Sequence, residues 1–133
     1  MIKTPRPLTP IEDFEKALNS ASLSARELEL IDYIRYIGVF SQPMMVKDLK
    51  LKPKPPALSQ ICEICRKIGG EMPEHFEKIR KWSKQVSEYG VKWDGDLICS
   101  SAKNIDGDYL SPSSGTSPYE FLVVHKELFI GLS

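Results

Sequence analysis

Apolar residues recur at helical spacing along the first two-thirds of the chain and at strand-like spacing after it. Ile11, Phe14 and Leu18 share one side of a 3.6-residue repeat, which predicts a short helix over about 10–18. Thr9 is placed to cap it, Pro10 to take its first position and Glu12 to complete a capping box. Asn19-Ser20-Ala21-Ser22 breaks the repeat. The next helix, about 24–37, carries the fullest signals: Ser24 and Glu27 as a capping box, Leu23 and Leu28 as a hydrophobic staple, and Gly38 as the stop. Leu28, Ile31 and Ile34 beside Leu30, Tyr33 and Ile37 give it a wide apolar surface, as expected of a helix central in the core.

After the brief apolar pair Val39-Phe40, Pro43 opens a third helix, about 43–50, bearing Met44, Met45, Val46 and Leu49. Pro53, Pro55 and Pro56 then impose an extended path. Pro56 begins a fourth helix, about 56–68, striped by Leu58, Ile61, Cys62, Cys65 and Ile68 and ended by Gly69-Gly70. Its polar face carries Ser59, Gln60, Glu63, Arg66 and Lys67. A fifth helix, about 73–89, buries Phe76, Ile79, Trp82, Val86 and Tyr89 and stops at Gly90. Glu74 and Glu77 lead it and Lys78, Arg80, Lys81 and Lys84 follow, the order the helix dipole favours.

The period then shortens. Asp94-Gly95, between Val91-Lys92-Trp93 and Asp96-Leu97-Ile98-Cys99, predicts a hairpin, and Asp106-Gly107 predicts a second. Residues 111–118 read as a flexible loop by composition, and Tyr119 to Ile130 as one long strand. The expectation is therefore an α+β fold of about five helices followed by a small antiparallel sheet. It forms a single domain over 1–133, with an extended arm (1–9), a helical part (10–90) and a hairpin part (91–133).

Composition narrows the class. A chain of 133 residues with 41% hydrophobic and 27% charged residues is that of a soluble globular protein. Area scaling lets it bury about two-thirds of its extended surface, so neither disulfides nor a metal is required. No apolar run nears the roughly 18 residues of a membrane span, and Met-Ile-Lys-Thr-Pro-Arg-Pro lacks the apolar stretch of a secretory signal. Three cysteines, an odd number, point away from a disulfide scaffold and to a reducing compartment. The expected location is cytoplasmic, with no membrane partner.

Chemistry-bearing motifs are sparse. Cys62 and Cys65 form a C-x-x-C pair, but Ile61, Ile64 and Ile68 surround it in a helical pattern, and buried cysteine packs as a small hydrophobe. A zinc site completed by Cys99 and either His75 or His125 is the alternative. Asp94/Asp96 and Asp106/Asp108 lack the ligand spacing of a calcium loop. No nucleophile elbow, phosphate loop or HExxH motif is present. The reading is a non-enzyme with no catalytic residue, no metal site and no cofactor.

Charge changes the picture more. The net charge is zero, yet residues 45–84 carry ten basic and five acidic groups, and residues 85–133 carry three basic and seven acidic. A basic middle third is able to present one phosphate-binding surface despite overall neutrality. The run Leu23 to Ile37, then Met45-Val46-Lys47-Asp48-Leu49, then Leu58-Ser59-Gln60-Ile61-Cys62-Glu63-Ile64 resembles the winged-helix branch of helix-turn-helix DNA-binding domains, over about residues 23–70. The resemblance implies a winged-helix-like core and a regulatory, transcription-linked role on double-stranded DNA. On it, Ser59 and Gln60 read bases, Arg66 and Lys67 face phosphates, Lys50, Lys52 and Lys54 clamp the backbone, and Lys81 and Lys84 extend the basic surface. The competing expectation is a protein-interaction module (an adaptor, inhibitor or assembly factor, or a homodimer) whose basic and acidic segments make complementary contacts.

Overall fold

The computed structural model describes residues 7–52, 56–86, 92–101, 121–125 and 128. Among them run α1 (Ile11–Ser20), α2 (Ala25–Ile37), β1 (Val39–Phe40), α3 (Gln42–Leu49), α4 (Ala57–Gly70), α5 (Pro73–Val86), a 3-10 turn (Asp94–Leu97), β2 (Cys99–Ser101) and β3 (Leu122–Val124). The α+β class holds, with the sheet antiparallel throughout and ordered β1-β3-β2.

The helix at the centre is α4, not α2. Ile61, Cys62, Ile64, Cys65 and Ile68 are buried on α4, which packs against α1, α2, α3, α5 and the 3-10 turn. On α2 only Leu30, Ile31 and Ile34 are buried, and Leu28 remains 46% exposed. Ile64 explains the difference: it widens the α4 stripe so that the helix is covered from several sides at once.

Local capping chemistry sets the starts of α2 and α3. Ser24 Oγ accepts from the Glu27 amide at 3.1 Å, and the Ser24 amide donates to Glu27 Oε1 at 2.9 Å, closing the predicted capping box. Ser41 Oγ accepts from the Met44 amide at 3.4 Å, starting α3 one residue before Pro43. Helix α1 starts differently. Its cap is Pro10, with no side-chain bond, because the Thr9 hydroxyl is taken by His75 Nε2 at 2.7 Å, tying the incoming chain to α5.

Tertiary contacts override three further expectations. Gly69 and Gly70 continue α4 instead of ending it, since the Phe76 ring of α5 lies where a side chain on Gly69 would be. Asp94-Gly95 makes no hairpin: it forms the 3-10 turn, with Asp94 turned inward and Gly95 under the Trp93 indole. Of the expected final strand, Leu122–Val124 forms β3 while Phe121 and His125 stand outside the strand pairing, and residues 119–120, 126–127 and 129–130 lie outside the described residues. The Leu128 amide donates to the His125 carbonyl at 3.0 Å, and Leu128 is fully buried.

β1 is only two residues long. Val39 pairs with Val123 and Phe40 with Leu122, while Cys99 and Ser101 of β2 face Val124 and Leu122 across the other edge of β3. Phe40, Leu122, Val124 and Cys99 thereby join the helical core. Tyr89, Gly90, Asp106-Gly107 and the 111–118 loop lie outside the described residues. No helix among the described residues is long and apolar enough to cross a membrane.

Candidate nucleic-acid interface

The end of α3 gathers exposed cations. After Leu49 the chain enters the left-handed region at Lys50 (φ 53°, ψ 47°), and the Leu51 amide donates back to the Val46 carbonyl at 3.0 Å. This is a Schellman-type helix stop, and Leu51 is buried beneath it as that motif requires. Lys47, Lys50 and Lys52 are exposed, and none of them forms an ion pair among the described residues. Arg26 lies beside them, its Nη2 donating to the Leu49 carbonyl at 3.2 Å and its Nη1 paired with Glu29 Oε2 at 2.9 Å. The nearby Asp48 carboxylate accepts from the Tyr33 hydroxyl at 2.6 Å, and burial together with that bond pushes the phenol's pKa up.

The start of α3 meets the start of α4. Gln42 Oε1 accepts from the Leu58 amide at 3.1 Å, so the first turn of α4 is fixed by a side chain of α3. Beside it Ser59 is exposed and Gln60 half-buried. Ser59 thus stands near the start of α3, and Lys50 lies at its end, roughly 12 Å further along the helix axis. Lys54 lies outside the described residues.

Arg66 and Lys67 are exposed and also paired within the fold. Lys67 Nζ meets Glu27 Oε1 at 2.7 Å, so the carboxylate that closes the α2 capping box also anchors α4. Burial alone would raise the Glu27 pKa, but its bonds to Lys67 and Ser24 outweigh burial and hold it below the usual value. Arg66 Nε meets Asp94 Oδ2 at 2.9 Å, and Arg80 Nε of α5 meets Asp94 Oδ1 at 3.0 Å. Burial likewise pushes Asp94 up, and the Arg80 and Arg66 bonds bring it down below the ordinary carboxylate range. Both guanidinium groups are raised in turn, chiefly by the bond to Asp94. Arg80 also lies 4.3 Å over the Phe76 ring. Lys81 and Lys84 are exposed on α5, whose inner face packs on α4 and the 3-10 turn.

Sequence reasoning therefore located the exposed lysines but missed Arg26 and Asp94. Arg26 shares the first turn of α2 with Glu27, so that single turn joins the end of α3 to the Lys67 side of α4. The sequence around Asp94 gives no signal of its role: Lys92 and Asp96 flank it, and its arginine partners stand 28 and 14 residues earlier.

The nucleophilic groups lie inside the core. Cys62, Cys65 and Cys99 are buried thiols in no disulfide, and burial raises the Cys62 thiol and raises Cys65 further. His125 Nε2 is 2.9 Å from Ser100 Oγ, both buried. Among the described residues no group of three or more His, Cys, Asp or Glu is arranged to hold a metal ion. No known protein family, curated protein or solved structure matches this chain.

Proposed function

We propose that the protein is a small, non-enzymatic, regulatory DNA-binding module of winged-helix type that holds the phosphate backbone through the end of α3. Lys47, Lys50 and Lys52 make the backbone contacts, and Ser59 at the start of α4 faces base edges. The observation that carries this reading is the contrast among the cations. Arg66, Lys67 and Arg80 each already hold a carboxylate of this chain, whereas Lys47, Lys50 and Lys52 stand exposed at one helix end with no ion pair among the described residues. Phosphate affinity follows local cation density and not net charge, so a neutral chain suffices.

Fluorescence anisotropy with a labelled 20-base-pair duplex tests it. Binding is expected at 50 mM salt, with log K falling against log salt at a slope of about −2.7 for three neutralised phosphates. The triple variant K47A/K50A/K52A is expected to lose it. Absence of wild-type binding at 50 mM salt overturns the reading.

A second reading, a protein-interaction module, is favoured by the apolar side chains exposed around the sheet. Tyr36 is 90%, Val39 44% and Phe121 38% exposed, and Val39 sits beside Val123, two residues from Phe121. Light scattering across a concentration series separates the two: a dimer whose formation is lost in V39K supports the second reading.

A further inference from the structure

We infer that Lys50 is the leading phosphate contact of the surface proposed above, and that it is retained for this contact against the preference of its own backbone. The inference rests on the DNA-binding reading. Among the described residues only Lys50 and Gly38 have positive φ, at 53° and 78°. Both stand immediately after a helix, Gly38 after α2 and Lys50 after α3. Only Lys50 lies in the left-handed helical region, since Gly38 has ψ −48°; glycine is what that region ordinarily takes, because a Cβ there crowds the following carbonyl. Lys50 keeps its Cβ there.

The helix stop itself has no use for that side chain. Backbone groups supply its bonds: the Lys50 and Leu51 amides both reach the Val46 carbonyl. Leu51 supplies the apolar contact, and Arg26 satisfies the Leu49 carbonyl. A glycine at 50 would close α3 equally well. The cation gains something from the negative end of the helix dipole, but Lys47 already stands in the last turn to provide that. What remains for Lys50 is its ammonium, exposed, without an ion pair among the described residues, and flanked by Lys47 and Lys52. That is the chemistry of a phosphodiester contact, made by an ammonium as a point charge.

The substitution Lys50→Gly separates the two roles, because it deletes the contact while easing the backbone. In the full chain its Tm is expected within about 3 °C of wild type, or higher. Its affinity for the 20-base-pair duplex at 50 mM salt is expected to fall three- to tenfold, with the salt slope reduced by about 0.9. Lys50→Arg is expected to keep both affinity and slope. If wild type binds and K50G binds with the same affinity and slope, the inference is overturned and the DNA-binding reading stands. If the Tm of K50G falls by more than about 5 °C, the side chain serves the fold and the inference is likewise overturned. If wild type fails to bind, the reading itself is overturned and this inference with it.

Discussion

Arg66 of α4 and Asp94 of the 3-10 turn meet at 2.9 Å, and the same carboxylate holds Arg80 of α5 at 3.0 Å on its other oxygen. One buried acidic group thus fixes α4, α5 and the segment leading into β2 in a single arrangement. Its side chain is 7% exposed, while those of Arg66 and Arg80 are 54% and 25% exposed. The charge that suffers most if the cluster is broken is therefore the carboxylate.

Asp94→Asn keeps the shape and removes the charge. It is expected to cost about 2 kcal/mol, less than a fully buried pair because Arg66 and Arg80 retain water. Arg80→Ala is expected to cost more than Arg66→Ala, since Arg80 is the less exposed and also stacks on Phe76. Urea unfolding measures all three, and the ordering D94N, R80A, R66A from most to least destabilised is the outcome to check. Equal effects of the two arginine variants would show that the stacking contributes nothing.

Asp94 and Glu27, each in its own ion pair, set an acid limit. Asp94 and Glu27 are both held below their ordinary values of 3.8 and 4.5. A carboxyl whose folded pKa is depressed binds fewer protons folded than unfolded, so its contribution is complete above the unfolded value and is lost as pH falls through the folded one. Stability is expected to be level from neutral pH down to about 5 and to decline below about 4. In D94N the decline should be shallower, with a smaller gap from wild type at low pH than at neutral pH. Urea midpoints measured across that range give the comparison, and a constant gap would remove Asp94 from the acid response.

What was legible in the sequence was what is local. Ser24 and Glu27 lie three residues apart, and their capping box is a matter of backbone geometry that any matching tetrapeptide carries. Helix existence, the α4 stripe and the exposure of Ser59 follow from periodicity in the same way. Asp94 was not legible, because its partners lie 28 and 14 residues away and the Asp-Gly pair by itself favours a tight turn. Glu27 is the mixed case: its bond to Ser24 is local, and its bond to Lys67 spans 40 residues. Lys67 looked like a free surface cation for that reason. Val39-Phe40 is too short to carry a strand period, and only its pairing with Val123 and Leu122 makes it one. The middle third is dense in basic charge, but density along the chain does not reveal which cations are already engaged.

Two neighbouring glycines give a last and sharper contrast. Both lie in the final turn of α4, where sequence alone treats them alike. A Cβ on Gly69 would overlap Phe76 Cδ2 and Cγ, atoms at the base of a ring that is only 5% exposed. The ring has little freedom to retreat, because Arg80 covers its face at 4.3 Å and the core surrounds the rest. Gly69→Ala is therefore expected to destabilise by about 1–3 kcal/mol through overpacking at the α4–α5 contact. A Cβ on Gly70 meets nothing within 4 Å. Gly70→Ala is expected to stabilise by about 0.5–1 kcal/mol, because alanine restricts the unfolded chain and favours the helix. Thermal or urea unfolding of the two single variants should move in opposite directions from wild type. If G69A were as stable as G70A, the close approach of Phe76 to the α4 backbone, and with it the reason this helix runs through a glycine pair, would be wrong.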